Sequence, residues 1–365
     1  MLVKDFIGLI DRLAPFSLAP DWDNSGLQVG DPKARVKKVA LALEATSQTI
    51  EEAINQKANL LIVHHPLIFK PLKNLNLNDP LTSPIIKAIF GNLAVIAAHT
   101  NWDAVGVAKA LAETLGLTPL EPLTTTSPDL TQLTVYAPSA ALDGLKKALF
   151  SVGVGQQGDY AECSYESAGL GQFKPQPGSQ PYTGQVGVLA QTDEVRLEMV
   201  LPTSLIPKAT HALRAAHPYE EPAFHFTAIQ RPALGFGLIA KWSTPQDPLA
   251  ITKAKLGLKT LNYAGPTPKL VQRVALLPGS GGDFILPAHL AKAEVLITGE
   301  INHHQALLAE EIGLTVLAAG HYETEKPGLY RLGQELENQT RRSNAALEYT
   351  FLSDQSPWRS YGLNL

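Results

Sequence analysis

His64 and His65 stand side by side at the end of an apolar run, NLLIVHHPLIFK (59–70), and Pro66 follows at once. Ten histidines in 365 residues give roughly a quarter of one adjacent pair by chance, yet His303 and His304 form a second pair. Similar placements recur along the chain. His99 follows AVIAA with Asp103 four residues on, Glu300 follows VLIT, and His321 follows TVLAAG with Glu325 four residues on. Brought into one crevice, three histidines and two or three carboxylates make a nitrogen and oxygen donor set suited to Zn²⁺, Mn²⁺, Fe²⁺, Ni²⁺ or Co²⁺. The set is too rich in imidazole for Ca²⁺ or Mg²⁺.

Adjacency sharpens the reading. Successive side chains on a strand point to opposite faces, so neighbouring imidazoles approach a common site only where the strand has ended. Pro66 holds His65 extended and cannot continue a central ladder, which places the pair at the strand's exit. Two splayed imidazoles fit two ions better than one, and two metals about 3.5 to 4 Å apart are a familiar hydrolytic arrangement. Such a pair calls for a bridging carboxylate, and Glu325 is the candidate. His321 and Glu325 share a face if a helix begins there, which Pro327 only partly discourages.

Other polar groups carry milder expectations. His303 lies in NHHQALLAEEIGL, a helical segment, and reads as solvent-facing. His304, placed a turn from Glu300, is expected to support a ligand or to move protons with His99 and Glu300. LLPGSGGDFI (276–285) reads first as a tight structural turn, with an anion seat as the alternative. AHPYEEPAFHF offers His217, Glu220, Glu221 and His225, but its prolines and alternating aromatics read first as an edge strand.

The elements that position these groups come from an internal duplication. VKKVALALEA from Val36 aligns with VQRVALLPGS from Val271, and in the same register KANLLIV from Lys57 aligns with KAEVLIT from Lys292. LAVIAAHTNWDAVG from Leu93 then faces LTVLAAGHYETEKPG from Leu314. Short β-rich runs alternate with helical-period segments such as SQTIEEAINQKA, so each copy reads as β-α-β units of a parallel α/β layer. Ligands then belong at the carboxyl ends of the strands, where copies related by a pseudo-twofold converge. Between the copies the composition shifts, from TTTSPD to GQFKPQPGSQPYTGQVG. We expect a discontinuous α/β domain over 1–123 and 230–365 and an inserted α+β domain of the ferredoxin-like kind over 124–229.

Composition narrows the function classes. The chain is 45% apolar and 18% charged, with a formal charge of −4 and a pI near 6.2, so no basic field favours nucleic acid or an anionic membrane. The one cysteine, Cys163, excludes an internal disulfide and a thiolate-rich zinc site. The start MLVKDFIGLIDRLAP carries charges through its apolar stripe, unlike a signal peptide, so a cytoplasmic protein is expected.

DWDNSGLQVG (21–30), LLIVHHPLIF, AAHTNWDAV, LITGEINHHQALLAEEIGL and AGHYETEKPG together resemble the family of GTP cyclohydrolase 1 type 2 homologues, dinuclear-metal-centre hexameric proteins. GLGQFKP and HPYEEPA resemble the signature of a PII-like insert found in its longer bacterial members. The resemblance implies a toroidal homohexamer, a trimer of dimers, with two divalent metal ions per subunit. It also implies the ligands His64, His65, Asp103, His321 and Glu325. Glu44 and Glu300 stand where many relatives have Asp. The expected function is a dinuclear metal-dependent hydrolase acting on a small nucleotide-like or cyclic amide substrate, with metal-bound hydroxide as nucleophile. The rival is a non-enzymatic metal-binding or regulatory hexameric scaffold.

Overall fold

The computed structural model describes residues 1–125, 130–158, 160–229, 235–243, 245–268, 271–343 and 347–359. The expected junctions after 123 and after 229 fall partly outside them. The chain forms two compact units, Met1–Thr126 with Ala233–Leu365, and Ser127–Pro232.

The first unit contains two sheets. One comprises β1 (Gly26–Val29), β2 (Lys38–Ala42), β3 (Leu60–Val63), β4 (Ala94–Ala97) and β15 (Glu348–Phe351), in the order β1-β4-β3-β2-β15. β2, β3, β4 and β15 run parallel, and β1 lies antiparallel on the edge. Alternation explains why β3 is apolar throughout. Leu60 and Ile62 enter one core and Leu61 and Val63 the other, so both faces are covered. The helices Ser47–Asn55 and Ser83–Phe90 make the two crossovers. Thr46 starts the first of them, its Oγ1 accepting the Thr49 N–H at 3.1 Å.

The second sheet comprises β5 (Thr118–Glu121), β10 (Leu238–Lys241), β11 (Asn262–Ala264), β12 (Arg273–Ser280), β13 (Val295–Glu300) and β14 (Thr315–Ala318), ordered β11-β14-β13-β12-β10-β5. Its β12, β13 and β14 are parallel, joined by the helices Ile285–Leu290 and His303–Ile312. A reciprocal capping box of Asn302 and Gln305 starts the second helix.

The helices that leave β4 and β14 are exchanged between the sheets. After β4 the chain makes a short helix, Thr100–Trp102, a π-helical turn, Asp103–Val107, and the helix Ala108–Leu115. Ala108, Leu111 and Leu115 of that last helix join the second sheet's core beside Leu276 and Ile297. After β14 the helix His321–Arg342 sends Leu329, Leu332 and Leu336 into the first sheet's core beside Leu41 and Ile96. Where the two paths cross, the Trp102 indole N–H donates to the Gly328 carbonyl at 2.9 Å. A Cβ on Gly328 would stand 2.8 Å from a Val107 methyl, so glycine permits the approach.

In the second unit β6 (Leu130–Pro138), β7 (Tyr165–Phe173), β8 (Ala190–Pro202) and β9 (Phe224–Ile229) form an antiparallel sheet ordered β7-β8-β6-β9. The helices Leu142–Ser151 and Ile206–Ala216 complete a β-α-β-β-α-β path over a core that includes Leu133, Val135, Leu145, Leu197 and Leu213. β9, which carries Phe224, His225 and Phe226, lies on the sheet edge.

Candidate metal centre

The parallel register sets the histidines. Val63 pairs with Ala42 on one side and with Ala97 on the other, so His64, His65 and His99 all emerge at the same carboxyl edge. The exchanged helix brings His321 and Glu325 to that edge from the other sheet. Helix His321–Arg342 runs on through Pro327, and its first turn places His321 Nε2 3.1 Å from Glu325 Oε1.

Hydrogen bonds orient four imidazoles alike. His64 Nδ1–H donates to the Ala98 carbonyl at 3.0 Å, and Glu44 accepts from His65 Nδ1 at 2.8 Å. Asp23 accepts from His99 Nδ1 at 2.7 Å, and Glu300 from His321 Nδ1 at 3.1 Å. Outer partners of this kind fix the ring and its tautomer. Each Nε2 is thereby left to face the others.

Those inward nitrogens meet carboxylates. His64 Nε2 lies 3.5 Å from Asp103 Oδ1 and 3.7 Å from Glu325 Oε1, and His65 Nε2 lies 3.3 Å from Glu325 Oε2. Donor spacings of this size are the edges of a coordination polyhedron with bonds of about 2.1 Å. Glu325 converges with His65 and His321, and its Oε1 also faces His64, whose Nε2 in turn faces Asp103. His99 joins His64 and His65 in a third grouping of converging donors.

A cation fits here on physical grounds. His64 Nε2 and Glu325 Oε2 are buried without a hydrogen-bond partner, an arrangement that costs about 1–3 kcal/mol per group. A nitrogen lone pair aimed at a carboxylate is repulsive until a proton or a metal ion lies between them. Burial alone would raise the pKa of Glu325, but His64, His321 and His65 hold it well below the usual carboxylate range. Burial lowers the pKa of His65, yet Glu325 and Glu44 outweigh it and push it up to about 10. Glu325, working against burial, lifts His321 to about 9. Burial raises Asp103, and Glu325 adds to the rise against the pull of His64.

Asp23 is a site residue that local pattern does not mark. Its side chain is fully buried and also accepts from Ser25 at 2.8 Å and from the Thr100 hydroxyl. Burial would raise its pKa, but the bonds from His99, Thr100 and Ser25 keep it well below the ordinary value. Its place inside DWDNSG, a cluster of hydrogen-bonding residues, was the available signal. Glu44 is likewise an orienting partner, of His65.

The remaining sequence candidates fall elsewhere. β13 continues through Glu300 and the next helix begins at His303, so His304 is exposed and does not line the cavity over the cluster. The glycine-rich segment is a close structural approach. Gly279, at φ +72°, has its N–H bonded to Thr324 Oγ1 at 3.0 Å, and a Cβ there would stand 2.3 Å from Glu325 Oε1. In the second unit both ring nitrogens of His217 are engaged, with Nε2 on the Tyr136 carbonyl and Nδ1 on the Tyr219 N–H, at 3.0 and 3.1 Å. No ring lone pair remains there for a metal.

A cavity of about 620 Å³ opens over the cluster, lined by His65, His99, Asp103, His321 and Glu325 together with Trp22, Phe69, Phe236 and Phe284. Fold and site thus define a mixed α/β protein with a buried histidine and carboxylate cluster able to hold metal. The chain matches Duf34/NIF3 (NGG1p interacting factor 3) over residues 1–357, and it belongs to that family. It is 36% identical over 327 residues to the GTP cyclohydrolase 1 type 2 homolog of Bacillus subtilis (strain 168), covering 87% of this chain and 88% of that one. The protein of the same name from Staphylococcus aureus (strain Mu50 / ATCC 700699) is 34% identical, covering 88% and 89%. The crystal structure of a Bacillus cereus protein related to NIF3 superposes with a TM-score of 0.68 at 31% identity, covering 99% of each chain. A Staphylococcus aureus crystal structure gives 0.71 at 29% identity, again covering 99% of each. Among the described residues no helix is long and apolar enough to cross a membrane.

Proposed function

We propose that the cluster holds two divalent cations and that the protein is a cytoplasmic metal-dependent hydrolase acting on a nucleotide-like or cyclic amide substrate. The observation that carries this reading is the buried Glu325 carboxylate, which converges with His65 and His321 and also faces His64, itself 3.5 Å from Asp103. Two cations there would supply Lewis acidity and activate a water near neutral pH. His64, His65, Asp103, His321 and Glu325 hold them, and Glu44 and Glu300 keep His65 and His321 turned inward. His99, seated on Asp23, presents Nε2 as the chain's own group for moving a proton. The name carried by the Bacillus and Staphylococcus relatives supports a guanine-like substrate.

The same reading takes the two sheets as copies of one β-α-β unit related by a pseudo-twofold, the inserted unit as PII-like, and the assembly as a homohexamer built as a trimer of dimers. The test uses protein stripped by a chelator and reloaded with one cation at a time. Turnover of GTP, or of a member of a nucleotide and cyclic amide panel, appears only after reloading. No turnover with two cations bound per chain rejects the hydrolase. Glu325→Ala and His64→Ala abolish turnover while the hexamer persists in solution. Loss of assembly on these changes instead favours the metal-stabilised scaffold.

A further inference from the structure

Two large aromatic side chains stand at the cavity mouth with much of their surface in solvent, Trp22 at 61% exposure and Phe69 at 48%. They come from separate loops, yet their rings lie 6.2 Å apart at 60°. Both stand edge-on to His99, at 6.5 and 6.4 Å. The loops are laced together. Asn24 Nδ2 donates to the Ile68 carbonyl at 2.5 Å, the Ile68 N–H donates to Gln28 Oε1 at 3.2 Å, and Asp23, the residue after Trp22, is held by His99 Nδ1 at 2.7 Å. The rim is therefore built before anything binds, although exposing two such rings forgoes the burial that normally holds aromatics in place. Phe236 and Phe284 extend the apolar lining, and Asp283 places a carboxylate in the same cavity.

We infer that Trp22 and Phe69 form the seat of a flat nitrogen heterocycle in the substrate, stacked at the cavity mouth with its reacting edge toward the His64, His65 and Glu325 cluster. The seat rests on the proposed hydrolytic site and names its specificity. Aromatic faces hold heterocycles by stacking whatever the exact base, and Asp283 accepts from ring N–H groups, so the class is an N–H-bearing ring of nucleobase size. A sugar phosphate lacking the ring has no surface for this rim to engage.

The experiment uses the cation-loaded full-length chain and two probes, guanosine 5′-monophosphate and ribose 5-phosphate, with affinity measured by calorimetry and ring contacts by saturation-transfer NMR. The nucleotide is expected to bind at least ten-fold more tightly than the sugar phosphate, with the strongest saturation on the purine proton. Trp22→Ala weakens the nucleotide at least ten-fold, leaves ribose 5-phosphate unchanged and leaves the cation content per chain unchanged. Phe69→Leu gives the same pattern, and decides the question if Trp22→Ala fails to fold. Equal affinity for the two probes, no binding of the nucleotide, or a change in oligomeric state in place of affinity overturns the inference. Ring-dependent binding without turnover of any nucleotide leaves the seat standing and rejects the hydrolase. Turnover insensitive to Trp22→Ala and Phe69→Leu does the reverse.

Discussion

Gly279 and Glu325 approach so closely that one methyl group cannot be placed between them, since a Cβ on Gly279 would stand 2.3 Å from Glu325 Oε1. Gly279→Ala therefore has two effects. The positive φ costs about 1–2 kcal/mol for any side chain, and the added carbon pushes the shared carboxylate out of line. We expect a lower melting temperature and a fall in cation affinity of ten-fold or more, read by calorimetry on chelator-stripped protein. Unchanged cation affinity would show that Glu325 is fixed by something else.

The Trp102 to Gly328 hydrogen bond ties the residue before Asp103 to the helix that carries Glu325. Trp102→Phe removes the donor and part of a buried ring. The expected loss is about 2 kcal/mol in chemical denaturation, with weaker cation retention because this brace positions both Asp103 and Glu325. Retention equal to that of the unaltered protein would mean that Asp103 and Glu325 are positioned independently.

His65 and His321 carry protons near neutral pH, with pKa values of about 10 and about 9, whereas a cation needs their bare nitrogens. Cation uptake at pH 7.5 should therefore release protons, measurable from the buffer dependence of the binding enthalpy, and affinity should fall as pH falls. For the cation-free protein the sign is opposite. A raised histidine pKa stabilises fully below the unfolded value near 6.5, and that contribution is lost as pH rises through 9 to 10. Stripped protein should melt earlier at pH 10 than at pH 7, and His321→Gln should flatten that difference.

His217 behaves in the other direction. Burial lowers its pKa against the pull of the Tyr136 carbonyl and Glu194, and the Tyr219 N–H needs Nδ1 unprotonated. The unfolded chain then binds the proton more readily, so this stabilisation is present above about pH 6.5 and lost as pH falls below it. Amide exchange in β6 and β9 should accelerate on going from pH 7 to pH 5 beyond the intrinsic rate change, and His217→Gln should remove the excess. An equal excess in the variant would point to other groups.

Much of the positioning was legible because it is periodic. The four apolar residues of β3 and the helical spacing in SQTIEEAIN act over a few residues, and the structure has the corresponding strand and helix. The site was less legible where it depends on distance. Asp23 and His99 are 76 residues apart in sequence, so no local spacing predicts their hydrogen bond. The π-helical turn Asp103–Val107 lies where Trp102 and Val107 pack on Gly328 of the other helix, and propensity has no signal for it. Pro327 weakens the case for a helix by rule, yet tertiary packing of Leu329, Leu332 and Leu336 carries the helix through it. The turn that would have returned His304 to Glu300 is replaced by a strand that runs two residues longer than the apolar pattern VLIT.

The exchanged helices give the chain an order of events during synthesis. His64, His65 and Asp103 leave the ribosome long before His321 and Glu325, and the first sheet lacks Leu329, Leu332 and Leu336 until the last helix arrives. The inserted unit, meanwhile, has its own core and can fold while the first half waits. An early half-chain thus carries an unfinished interior and a donor set that still lacks His321 and Glu325. Tight capture of metal by the nascent protein would mark the moment when its final helix locks into place.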